Sequence, residues 1–146
     1  MPSREPSVDA AGRTGVFSGS KTLGTYAAAE GESAAAAGNM LRTKVVPERM
    51  LSAFVRSTGA LGGRLLAAMR AGLDAGGEEG PVHSSGLLIV RDVSWPVANL
   101  RVDWSDADPI ADLERLWALY ESQLEAYVSR AIDPSCAPSF GVPGDA

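Results

Sequence analysis

Gly76-Gly77 ends a helix-like pattern and hands the chain, through Glu78-Glu79-Gly80-Pro81-Val82-His83-Ser84-Ser85-Gly86, to the apolar run Leu87-Leu88-Ile89-Val90. Paired glycines make a helix costly to continue and suit its C-terminal cap. A short, nearly continuous apolar run reads as a strand covered on both faces. Helix, polar loop and buried strand in direct succession call for a layered fold in which helices pack on a sheet. Loops that feed core strands are also common places for a pocket, so this stretch is the first place to look for a site.

The rest of the chain extends the pattern. Thr14-Gly15-Val16-Phe17-Ser18 follows a turn at Ala11-Gly12-Arg13 and reads as a short strand. Residues 19–32 are loop-like, and the small-residue run 33–37, leading into Gly38-Asn39-Met40-Leu41, is expected to be a second strand. Pro47 suits the start of a helix, with Glu48 in its first turn and Met50, Leu51, Phe54 and Val55 on its apolar face. Ser57-Thr58-Gly59 interrupts it, and Leu61, Leu65, Met69 and Leu73 mark a second helix at i, i+4 spacing. Residues 84–92 and 97–104 read as two further strands separated by a turn at Trp95-Pro96. Asp108-Pro109 opens a last helix whose stripe of Ile110, Leu113, Trp117, Tyr120, Leu124, Tyr127 and Ala131 runs unbroken. Its aromatic residues suit packing on a broad sheet better than a two-helix seam. The expected fold class is α/β, in the α+β layered sense, with about four strands and three helices. Residues 1–8 are expected to be a disordered arm, 9–132 the domain, and 133–146 an extended Pro-rich tail.

Composition excludes several function classes. Thirteen basic against eighteen acidic residues give a net charge of −5, and the arginines are scattered rather than gathered in a stripe. No nucleic-acid partner is therefore expected. No run of about 18 apolar residues is present, so no membrane span is expected. The single cysteine, Cys136, allows no internal disulfide, which suits a reducing compartment. With no apolar stretch near Met1, the expected location is cytoplasmic.

Five segments in order carry a family resemblance. They are residues 9–19 ending in Phe17-Ser18-Gly19, the element Gly38-Asn39-Met40-Leu41, residues 65–72 followed by Gly76-Gly77, Leu100-Arg101-Val102-Asp103, and Asp108-Pro109-Ile110. Together they resemble the bacterial and archaeal domain of unknown function 1028 family, which is Ntn-hydrolase-like. The resemblance covers the C-terminal portion of that family and implies a partial Ntn-hydrolase-like αββα sandwich. It further implies an amidohydrolase acting on a small amide-type ligand. Where many members carry Arg-rich sequence and Gln-Ser-Ala, this chain has Pro81-Val82-His83-Ser84-Ser85. Members also begin with a strand that places Thr or Ser just after the initiator methionine. In such enzymes the α-amine of the first residue is the base for its own hydroxyl or thiol. Met1 and Pro2 have neither group, so the chain alone is expected to be inactive and no catalytic residue is assigned.

Four residues remain as pocket candidates: Asn39, Glu78, His83 and Ser84. His83 is the only histidine and the residue type most often used as a general base; a lone histidine beside a small-residue strand is more often a hydrogen-bonded loop residue. Glu78 and Glu79 suit a pocket rim or plain solvation. Asn39 suits an oxyanion donor or a turn. With one His and one Cys no metal site is expected, and no cofactor is implied. The alternative expectation is a non-catalytic, truncated relative that pairs an exposed sheet edge, or the 110–131 stripe, with another subunit as a homo-oligomer.

Overall fold

The computed structural model describes residues 4–139, with the side chain of residue 4 excluded. Among them are six short strands and four α-helices: β1 (Arg4–Val8), β2 (Thr14–Ser18), β3 (Ala27–Gly31), β4 (Ala34–Gly38), α1 (Val46–Arg56), α2 (Leu61–Asp74), β5 (Ser85–Ile89), β6 (Ala98–Val102), α3 (Pro109–Glu121) and α4 (Leu124–Ile132). The mixed α+β character agrees with the fold class expected from the sequence. The strands form three antiparallel ribbons, β1–β2, β3–β4 and β5–β6, with no ladder joining one ribbon to another among the described residues.

Two strands lie where loops were expected. Residues Arg4–Val8 are not a disordered arm: they pair with β2 from Arg4 opposite Ser18 to Val8 opposite Thr14. Asp9 fixes the turn, since its carboxylate accepts from the Ala11 and Arg13 N–H groups at 2.9 Å and from Arg13 Nε at 2.7 Å. Ala27–Gly31 pairs with β4 across the two-residue turn Glu32-Ser33, with Gly31 opposite Ala34. The turn requires a positive φ of 57° at Ser33. The small side chains then let the β1–β2 ribbon settle on β3–β4, where the Ser33 N–H donates to the Gly12 carbonyl at 3.1 Å. Of the expected extended tail, residues 134–136 form a 3-10 turn and residues 140–146 lie outside the described residues.

The core sits where α2 and α3 cover one face of β5–β6. Leu66, Leu87, Ile89, Val97, Ala98, Leu113, Trp117 and Leu124 are buried together, and Leu113 has no exposed surface. Alternation explains the strand's share: Leu87 and Ile89 turn inward while Gly86 and Leu88 face away. Gly62 permits the close approach of α2 and α3, because a Cβ there would lie 2.4 Å from the Trp117 ring. The last helical stripe packs on the core as far as Leu124 but not at Tyr127 and Ala131, and the helix is not continuous. Leu119 loses its helical partner where the Gln123 N–H bonds to Tyr120 instead. The Ser122 hydroxyl and the Gln123 amide both donate to the Leu119 carbonyl, at 3.3 and 3.2 Å. Side chains that compete for a backbone acceptor break the ladder. Beyond the break Leu124 is buried, whereas Tyr127 is exposed.

No helix of the described residues is long and apolar enough to cross a membrane.

Candidate functional site

The loop between α2 and β5 lines a cavity of about 330 Å³ with Arg42, Glu78, His83, Asp106 and Asp108 among its walls. Gly76, the first of the glycine pair, lines it. Gly76 and Gly77 adopt φ of 118° and 57°, and the Gly77 N–H reaches back to the Gly72 carbonyl at 2.9 Å, closing α2. The chain then runs beside residues 40–42. The Arg42 N–H donates to Gly77 at 3.0 Å and the Glu79 N–H to Met40 at 2.8 Å, with Leu41 opposite Glu78. This short bridge fixes the Glu78 backbone at the cavity.

His83 is held from two sides. Its carbonyl accepts the Ser105 N–H at 2.7 Å, and its Nδ1 lies 2.9 Å from the Ser105 carbonyl. A carbonyl only accepts, so Nδ1 carries the proton in the neutral ring and Nε2 keeps its lone pair. The imidazole stacks on Trp104 with centroids 4.1 Å apart and planes 6° from parallel. Trp104 is itself anchored by Nε1 donating to Asp106 at 2.9 Å. The half-buried His83 ring is thus oriented by contacts that leave Nε2 available.

Asp108 forms another wall and carries two structural duties. One carboxylate oxygen caps α3 by accepting from Ile110 and Ala111, at 3.0 and 2.9 Å. The other accepts from Arg70 Nη1 at 2.6 Å. The Arg70 guanidinium, followed by the capping N–H groups, holds the Asp108 carboxyl below the usual carboxylate range. Arg70 also forks onto Glu114, at 3.2 and 3.0 Å, and its own pKa is raised by these two acids, Glu114 first.

The structure brings Glu78 and His83 of the four pocket candidates to one cavity. Ser84 is exposed beside His83 but does not line it, and Asn39, half-buried at the end of β4, lies outside it. Arg42 and Asp106 line the cavity without having been singled out from the sequence. Their long-range placement depends on the 40–42 bridge and the His83–Ser105 clasp, and no local pattern announces either. None of the lining residues is Ser, Thr or Cys, so the walls offer hydrogen bonding, charge and a proton acceptor but no hydroxyl or thiol nucleophile. Among the described residues no group of three or more His, Cys, Asp or Glu side chains is placed to hold a metal ion.

The fold and cavity define a mixed α+β layered protein with a histidine-bearing pocket. The chain belongs to the family of unknown function DUF1028, whose model matches residues 6–113. It is similar to a Silicibacter pomeroyi protein of the same family, known from a crystal structure, with 30% identity and a TM-score of 0.70. The similarity covers 79% of this chain and 50% of that one, so the chain spans about half the length of this relative. No curated protein matches the sequence significantly.

Proposed function

We propose that this chain is the C-terminal portion of an Ntn-hydrolase-like amidohydrolase, inactive by itself, and that the His83 cavity is a wall of its substrate pocket. The observation that carries this reading is the His83 ring, clasped through Nδ1 to the Ser105 carbonyl and stacked on Trp104, in the wall of a cavity with no lining hydroxyl or thiol. Such a wall binds and orients; the reacting nucleophile comes from elsewhere in the assembled protein. The Nε2 lone pair accepts an N–H of a small amide-type ligand, while Arg42 and Glu78 supply the polar rim. Membership of the family and the half-length match to its relative support the portion reading.

The test is to assay residues 1–146 against short amide and peptide substrates, alone and fused to the unmatched part of the Silicibacter pomeroyi protein. Turnover is expected only in the fusion. His83→Phe keeps a stacked ring but has no Nε2, and should raise KM several-fold while changing kcat less, on the order of one hydrogen bond. Turnover by residues 1–146 alone would overturn the proposal.

A second reading, a non-catalytic binding or oligomerisation module, is favoured by the three ribbons, which no ladder joins among the described residues. A fusion that folds but turns over no amide would favour it.

A further inference from the structure

A second, larger cavity of about 520 Å³ lies between two ribbons and is lined by β4 residues 34–37 and β5 residues 86–88. No residue of β3 or β6 lines it, so β4 and β5 meet it away from the strands they pair with, where among the described residues no further strand pairs with either. Pro6 and Val8 of β1 close one side, and Phe54 and Leu65 of the helices another.

The backbone polarity of both edges follows from their registers. Gly31 and Ala34 close a two-residue hairpin and bond to each other, so alternate residues Ala34 and Ala36 point their polar groups at β3. Ala35 and Ala37 therefore direct theirs to the open edge. On β5 the Ile89 carbonyl accepts the Val97 N–H at 2.8 Å, which assigns Ile89 and Leu87 to the β6 side. Gly86 and Leu88 direct their backbone groups outward, and Leu88 is 59% exposed. Outward N–H and C=O groups that join no ladder among the described residues thus flank an apolar slot.

We infer that the slot is the seat of an extended, mainly apolar strand from the part of the family fold that has no counterpart in this chain. The entering strand bonds to β4 on one edge and β5 on the other, uniting two ribbons into one sheet. The source follows from the relative: this chain matches half of it, which leaves an equal share of that protein without a counterpart here. Apolar walls select apolar side chains on the entering strand, and the alanines of β4 leave room for larger ones. The inference rests on the portion reading above but not on hydrolysis.

The test co-expresses residues 1–146 with the tagged, unmatched part of the Silicibacter pomeroyi protein. A stoichiometric complex is expected, with amide exchange at Ala35, Ala37, Gly86 and Leu88 slowed at least tenfold relative to the chain alone. Ala37→Pro removes an outward N–H that no ribbon uses, and Leu88→Lys puts a charge at the exposed edge; both should fold and both should abolish co-purification. The inference is overturned by absence of a complex, by a complex that the two variants form equally well, or by self-association of residues 1–146 that protects the same four amides. A complex protected at these amides but inactive on amides would leave the slot standing and sink the hydrolase reading. Active fusion without that protection would do the reverse.

Discussion

Arg70 Nη1 meets Asp108 Oδ2 at 2.6 Å and so ties the middle of α2 to the N-cap of α3. Asp108 is itself a wall of the His83 cavity, so the pair holds the start of α3 at that wall. Both partners are about one-third exposed, so solvent screens much of the attraction.

Asp108→Asn keeps a capping oxygen but removes the charge. At pH 7 the loss should be about 1 kcal/mol, discounted for exposure. Because Asp108 is held below the ordinary carboxylate value in the folded state, its contribution is complete above the unfolded value of about 4. It is lost as pH falls through the folded value. The stability gap between wild type and Asp108→Asn, measured by urea unfolding, should therefore narrow below pH about 4. A gap that is constant from pH 7 to pH 2 would show that the charge pair adds nothing.

Gly62 and Gly72 are both buried glycines of α2, yet they should respond differently to alanine. A Cβ at Gly62 lies 2.4–2.6 Å from three atoms of the buried Trp117 ring. A rigid indole cannot give way without moving α3, so Gly62→Ala should cost about 1–3 kcal/mol despite the helical preference of alanine. At Gly72 the obstacle is the flexible side chain of Met50, at 2.8 Å from Cγ and 3.0 Å from Sδ. Methionine adapts, and Gly72→Ala should change stability by less than about 1 kcal/mol. Thermal melts of the two variants decide the matter, and equal destabilisation would refute the rigid-against-flexible distinction.

Trp104 is 66% exposed, so its removal should cost little core energy. Its role is to hold the His83 ring, and Trp104→Ala should leave the melting temperature within a few degrees of wild type. The imidazole resonances, which come from the single histidine, should broaden and the Ser105 N–H should exchange faster. Unchanged resonances and exchange would mean that the Ser105 clasp alone orients the ring.

Much of the fold was legible because its signals are local. Asp108 and Pro109 announce the start of α3, and the stripe through Ile110, Leu113 and Trp117 describes its buried face. Gly76-Gly77 marks the end of α2 for the same reason. The hairpin of β3 and β4 was read only in half, since Ala27-Ala28-Ala29 lacks the alternation that advertises a strand. The mirrored alanine runs on either side of Glu32-Ser33 were the available sign. Arg4–Val8 carries two charges and a proline, features of a loose end; pairing to β2 overrides them, as edge strands tolerate proline. The break at Ser122-Gln123 depends on two side chains choosing one carbonyl, which helical periodicity does not encode. The cavity was half legible: Glu78 and His83 lie on one loop, whereas Arg42 and Asp106 arrive from distant segments.

All three ribbons join strands that are neighbours in the chain. Each ladder can therefore zip at small entropic expense, on the microsecond scale typical of hairpins, before any helix docks. The demanding event is the docking of α3 on α2, which are separated by the β5–β6 ribbon in the chain, so the rate of acquiring the native state should be governed by α3 settling Trp117 above Gly62 rather than by making any strand pair.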